Sequence, residues 1–195
     1  MKVYTTLAAF ISTLLFSLPA AADWALLSDE SRIGFVSVKA GDFPESNYFR
    51  ELQGSVSASG EAEITIPLDS VETNIDIRNE RMRKYLFETE TYPTATVSAT
   101  VDLDAVDNLN IGARKSVDFA GELTLRGATV PFETALTVTR IGENRVLVET
   151  TDPIILFTDQ FDLMAGIDKL KELAGLPSIT PATPVTASIV FERGN

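Results

Sequence analysis

The 195-residue chain contains no cysteine and no histidine. Without cysteine there is no disulfide, no thiolate nucleophile and no thiolate metal site. Without histidine, a Ser-His-Asp triad, the common zinc ligand sets and a haem held by an axial imidazole are equally out of reach. Positive charge is scarce too: 16 Lys and Arg stand against 28 Asp and Glu, a formal net charge of -12. So acidic a chain repels polyanions, so nucleic acid and anionic lipid surfaces are not expected partners. One apolar run stands out, residues 7–18, broken only by Ser and Thr. It is shorter than the roughly 20 apolar residues a membrane-spanning helix needs. With Lys2 before it and Pro19-Ala20-Ala21-Ala22 after it, the run has the form of a cleaved secretory leader. Residues 1–22 are therefore expected to be a signal peptide and 23–195 the mature, single-domain chain, with no lipid anchor and no stable membrane insertion. Lys2 is the only charged residue of the leader, so its removal takes the net charge from -12 to -13.

Beyond the leader the dominant pattern is apolar alternation, the mark of strands with one buried face. Residues 31–39 carry Ile33 and Phe35 opposite Gly34, Val36 and Val38. Residues 54–68 set Val56, Ala58, Ala62, Ile64 and Ile66 against Ser and Glu, with Ser59-Gly60 as a turn or bulge. Val97, Ala99, Val101 and Leu103 alternate within 96–103, and Val117, Phe119, Leu123 and Leu125 within 117–125, where Gly121 eases a bend. Arg126-Gly127-Ala128-Thr129 turns into 130–138. Further strands are expected at 145–149 and 153–157, and Val185, Ala187, Ile189 and Phe191 alternate near the end. About eight short strands joined mostly by turns predict an all-β antiparallel barrel, wide enough to be filled by side chains or to hold one elongated ligand.

Residues 73–93 interrupt this pattern. Arg78, Arg81, Arg83 and Lys84 fall there within seven positions, a local reversal of charge. At helical spacing Ile75, Met82 and Leu86 share one face while the basic residues spread over the other, and Pro93 with the Thr-rich run before it is expected to end the helix. An apolar stripe beside guanidinium groups suits the mouth of a pocket for an oily molecule with a polar or anionic head. A second helix is expected at 166–174, with Ile167, Leu170 and Leu173 inward and Gly175 and Pro177 ending it. Residues 42–50, with Phe43, Tyr48 and Phe49, read as a lid, a homodimer contact or a surface loop. Closely spaced carboxylates occur at Glu61 and Glu63, Asp102 and Asp104, and Asp159 and Asp162. On exposed strands such pairs more often guard an edge than catalyse, so no enzymatic activity and no catalytic residue are assigned.

Three spaced motifs point to a family. Arg78-Asn79-Glu80-Arg81-Met82-Arg83 is followed by Leu86-Phe87 and Tyr92-Pro93. Gly121-Glu122-Leu123-Thr124-Leu125-Arg126-Gly127 precedes Pro131, and Gly166-Ile167-Asp168-Lys169-Leu170 precedes Leu176-Pro177-Ser178. Together they resemble the YceI-like family of bacterial periplasmic proteins, over essentially all of 23–191. The resemblance implies an extended lipocalin-like barrel, with one or two short helices at its rim, whose interior binds an isoprenoid lipid of the quinone or polyprenyl phosphate type. It implies a carrier in the periplasm that needs no cofactor and no metal. Candidate tail contacts are Phe35, Tyr48, Phe49, Ile75, Met82, Leu86, Phe119, Phe132, Phe157 and Phe161. Candidate head-group contacts are Arg78, Arg81 and Arg126. The alternative is a barrel with a filled core that acts as a stress-response or interaction protein through its acidic surface, without a stable ligand.

Overall fold

The structure, a computed structural model, describes residues 22–194. The expected leader lies outside the described residues except for Ala22, which opens the first strand. Twelve strand segments follow: β1 (Ala22–Leu26), β2 (Arg32–Lys39), β3 (Phe43–Phe49), β4 (Gln53–Ser57), β5 (Glu61–Pro67) and β6 (Val71–Glu72), then β7 (Thr94–Thr100), β8 (Arg114–Leu125), β9 (Ala128–Gly142), β10 (Arg145–Thr150), β11 (Ile154–Phe157) and β12 (Ala182–Arg193). All pairings are antiparallel. The ring β1-β4-β5-β7-β8-β9-β10-β12 closes through β12 back onto β1, an eight-stranded barrel. β12 is long enough to serve twice. Its C-terminal half pairs with β1 and β10, and its N-terminal half with β2 and β11. β2, β3 and β6 thus extend the wall beyond the ring, and the barrel is elongated on one side.

The alternation read from sequence is the inside of this wall. Val56, Ala62, Ile64, Ile66, Val97, Leu123, Leu125, Ala187, Ile189 and Phe191 all face the interior. One end of the ring is closed around Trp24, Val146 and Phe191. There Arg193 stacks its guanidinium 4.3 Å above the Trp24 ring and pairs with Asp107 at 2.6 Å, which ties down the single turn α2 (Asp104–Asp107).

The other end is capped by α1 (Asp76–Arg81), a π-helical continuation over Met82–Phe87, and α3 (Met164–Ala174). Asn79, 3% exposed, fixes α1 to β6 by accepting from the Thr73 amide (2.9 Å) and hydroxyl (2.6 Å) while donating to Glu72 (2.9 Å). Those bonds satisfy both sides of a buried amide that would otherwise be costly.

Two expectations sharpen here. The first helix ends at Phe87, at the start of the Thr-rich run and six residues short of Pro93: Glu88 takes a left-handed φ of 51° and its amide caps the Arg83 carbonyl, which closes the π-helical segment. Residues 42–50 are not a loop, because β3 pairs with β2 along its whole length, from Ile33–Phe49 to Lys39–Phe43.

Candidate functional site

A cavity of about 940 Å³ runs through the barrel, at the upper end of the range for small-molecule sites. Its wall is overwhelmingly aliphatic and aromatic. The interior of this barrel is hollow, not filled.

The structure brings most of the predicted tail residues together. Phe35, Phe49, Ile75, Met82, Leu86, Phe119, Phe132, Phe157 and Phe161 all line the cavity. They divide by role. Phe161 (1% exposed), Met82 and Leu86 belong to the packed cap, whereas Ile75 (43%) and Phe157 (48%) are rim residues open to solvent. Phe35 stacks against Phe49 at 5.6 Å and Phe119 against Phe132 at 5.7 Å, so the aromatic contacts come as fixed pairs. Tyr48 is not among them. On β3 its neighbours Asn47 and Phe49 line the interior, so the two-residue period turns Tyr48 outward, where Arg32 stacks 3.8 Å above its ring.

At the mouth, Arg78 and Arg81 line the cavity beside Lys39. Arg78 holds Glu45 of β3 in a two-pronged pair, at 2.6 and 3.3 Å, and Lys39 bonds the same carboxylate. Partial burial pushes the Glu45 carboxyl upward, but the Lys39 hydrogen bond and the charges of Arg78 and Lys39 outweigh it and hold the group below its ordinary value. Arg81 donates to the Leu173 carbonyl at 3.3 Å, meeting the C-terminal turn of α3, where a cation is favoured by the helix dipole. The third predicted head-group residue is elsewhere. Arg126, at a left-handed turn position, donates to the Asp162 carbonyl (2.8 Å) and pairs with Glu88 (3.2 Å). It fastens the end of the π-helical segment to the turn before α3 and does not line the cavity.

Sequence reasoning missed Lys39, Glu45 and Asn47. Lys39 and Asn47 lie on interior-facing positions of β2 and β3, a signal the alternation contained but which polar residues obscured. The spaced carboxylates Glu61, Glu63, Asp102, Asp104, Asp159 and Asp162 are all exposed. No cluster of metal-ligating side chains occurs among the described residues.

Expected outcome for the mouth: because the Glu45 carboxyl is held low in the folded chain, its ion pairs are fully present above the ordinary glutamate range. They are lost as pH falls past the ordinary glutamate range and through the lowered folded value. Glu45→Gln should mimic the acidic state at pH 7. Freed Arg78 and Lys39 should favour a phosphate-headed over a neutral-headed ligand by up to about fivefold, the scale of a solvent-accessible ion pair. Competition binding at pH 7 checks this; an unchanged preference means that Glu45 does not tune the mouth.

A closed antiparallel barrel around an apolar cavity, with cations at one mouth, defines a hollow ligand-holding barrel. The YceI-like domain model matches residues 24–191, and the chain belongs to that family. It is similar to a polyisoprenoid binding domain from Saccharophagus degradans implicated in plant cell wall breakdown, with 39% identity over 89% of this chain and 99% of that one and a TM-score of 0.87. BcnA of Burkholderia cenocepacia shares the fold at 18% identity and a TM-score of 0.65, over 85% of this chain and 98% of that one. The YceI protein of Campylobacter jejuni does so at 12% and 0.54, with all of both chains covered. A search of curated proteins gives no match.

Proposed function

We propose that this protein is a non-enzymatic carrier that holds a long isoprenoid lipid, of the quinone or polyprenyl phosphate type, in the barrel cavity, with its head at Arg78 and Arg81. The observation that carries this reading is the continuous apolar cavity of about 940 Å³ with those cations on its rim. The 39% identical polyisoprenoid binding domain supports the ligand class. The leader-like residues 1–22 support a carrier that works in the periplasm, where a water-insoluble tail needs shielding between membranes. No helix among the described residues is long and apolar enough to cross a membrane.

The energetics suit transport. Burying a five-carbon unit from water is worth up to about 4 kcal/mol, at roughly 0.8 kcal/mol per methylene. Drawn from a bilayer, the same unit gains almost nothing, since lipid chains are as apolar as the cavity wall. The tail is therefore shielded without being trapped, and the mouth decides which lipid is kept.

The test is native mass spectrometry of detergent-free protein, followed by organic extraction. A stoichiometric isoprenoid, or uptake of added long-tailed quinone or polyprenyl phosphate with Arg78→Ala shifting the preference between them, is expected. A clean apo mass with no uptake of either overturns the proposal.

A further inference from the structure

The barrel wall is not continuous. β7 and β8 pair at Thr96–Thr124, Val97–Leu123 and Ser98–Glu122, and the ladder stops there. Yet β8 continues for eight more residues toward its N-terminal end, paired with β9 all the way to Arg114–Thr139.

The lining of the cavity reports the same gap independently. In an intact wall only every second residue of a strand can face the interior. Where the ladder is closed that rule holds: Ala95 and Val97 of β7 and Leu123 and Leu125 of β8 line the cavity while the residues between them do not. Beyond the last pair it fails. Ala99 and Thr100, adjacent residues of β7, both border the cavity, as do all of 115–120 on β8, the exposed Asp118 included; the connection 101–103 that follows β7, with the exposed Asp102, borders it too. Both faces of two strands can border one space only where the strands have parted.

Neither edge is frayed. The β7 side is held to β5 as far as Glu61–Thr100, and the Val101 amide donates to the Gly60 carbonyl at 2.8 Å. The β8 side is held by β9. Gly121 stands where they separate; a Cβ there would lie 2.8 Å from the Phe119 ring, which leans across it. The slit is thus a built feature with an aromatic side chain at its throat.

Its rim differs from the mouth at α1. Asp102 and Asp118 flank it, opposed by Lys115. An anionic head group is favoured at the cationic mouth and disfavoured here, whereas the inner surface offers Val101 and Phe119 to a hydrocarbon. We propose that this slit is a second, lateral opening through which the distal end of a bound polyprenyl chain leaves the barrel, so that the depth of the cavity does not cap the length of tail accepted. The proposal rests on the isoprenoid reading above.

Because the native chain has no cysteine, single thiols report on the wall without background. Val97→Cys lies on β7 behind the closed ladder and Val101→Cys just past the end of that strand, beside the slit, and both native side chains line the cavity. Each is treated with a maleimide carried on a polymer too bulky to pass the mouth, and labelling is followed by mass spectrometry. In ligand-free protein Val101→Cys should react at least tenfold faster than Val97→Cys. Loading with a ten-unit quinone should slow Val101→Cys at least tenfold; a two-unit quinone should not.

Equal, slow labelling of both thiols overturns the opening. Fast labelling of Val101→Cys that persists when native mass spectrometry shows the ten-unit quinone bound overturns the tail exit. Protection that tracks a dimer mass instead means that the free β8 edge pairs with a second copy, which also overturns it. If neither quinone binds, the carrier reading fails with the tail exit, while the ligand-free rates still report whether the wall is open.

Discussion

Val148→Trp is expected to abolish isoprenoid binding while leaving the protein at least as stable as before. Val148 sits in the middle of β10, paired with Val138 of β9 and Ile189 of β12, and its side chain lines the cavity. In a packed core an indole would be forced against its neighbours at a cost of about 1–3 kcal/mol. Here it has an empty apolar space to enter, and filling a cavity commonly adds about 0.5–2 kcal/mol of stability. The same indole occupies the path of the tail. Binding of a long-tailed quinone, measured by tryptophan quenching or native mass spectrometry, should weaken by at least about a hundredfold, close to 3 kcal/mol, which is the apolar burial of three or four methylenes. Stability and affinity should move in opposite directions. A variant that loses several degrees of melting temperature and still binds would mean that the space around Val148 is packed in the working protein and that the ligand lies elsewhere.

The interior wall was legible from the sequence because it is made by the simplest rule in the chain. Val56 on β4, Ala62, Ile64 and Ile66 on β5, Ala95 and Val97 on β7, Val117, Phe119, Leu123 and Leu125 on β8, and Ala187, Ile189 and Phe191 on β12 keep the two-residue period, and those residues became the lining of the cavity. β3 was not legible for the same reason inverted. Its inward positions carry Glu45 and the buried Asn47 before Phe49, so a strand facing a charged mouth has no apolar period to read. Tyr48 then looked like the partner of Phe49, although adjacent strand residues must face opposite ways.

The basic cluster in 73–93 announced a site but not its wiring. Which cation keeps a free charge depends on partners far away in sequence, Glu45 for Arg78 and the Leu173 carbonyl for Arg81. Arg126 was the extreme case, a motif residue whose guanidinium closes the cap rather than meeting a ligand. Gly121 reads as a bend in the sequence. Only the register of β7 on β8 shows that the bend is where the wall parts.

Gly166→Ala sets two opposing effects against each other in the cap, and steric exclusion should win. Within a helix interior, alanine is favoured over glycine by about 1 kcal/mol, so propensity alone makes the change stabilising. But α3 crosses the π-helical segment at Gly166 so closely that an added Cβ would lie 2.5 Å from the Tyr85 carbonyl oxygen and 2.8 Å from the Leu86 Cα. Both are backbone atoms, which cannot swing aside as a side-chain tip would. The helix must therefore back away, loosening the packing of Leu163 and Ile167 against Leu86 and Phe87, all of them buried. Overpacking of this kind costs about 3 kcal/mol, enough to leave a net loss near 2 kcal/mol after the gain in propensity. For a chain of this size that lowers the melting temperature by about 4–8 °C. Because the displaced helix is also the roof of the cavity, bound isoprenoid should dissociate faster from Gly166→Ala, by about fivefold where half of that loss, about 1 kcal/mol, falls on the closed cap. Ligand transfer to vesicles, followed in a stopped-flow instrument, reads the rate directly. A raised melting temperature with unchanged release would show that α3 stands farther from the π-helical segment than the glycine contact implies, and that the cap is not held shut by it.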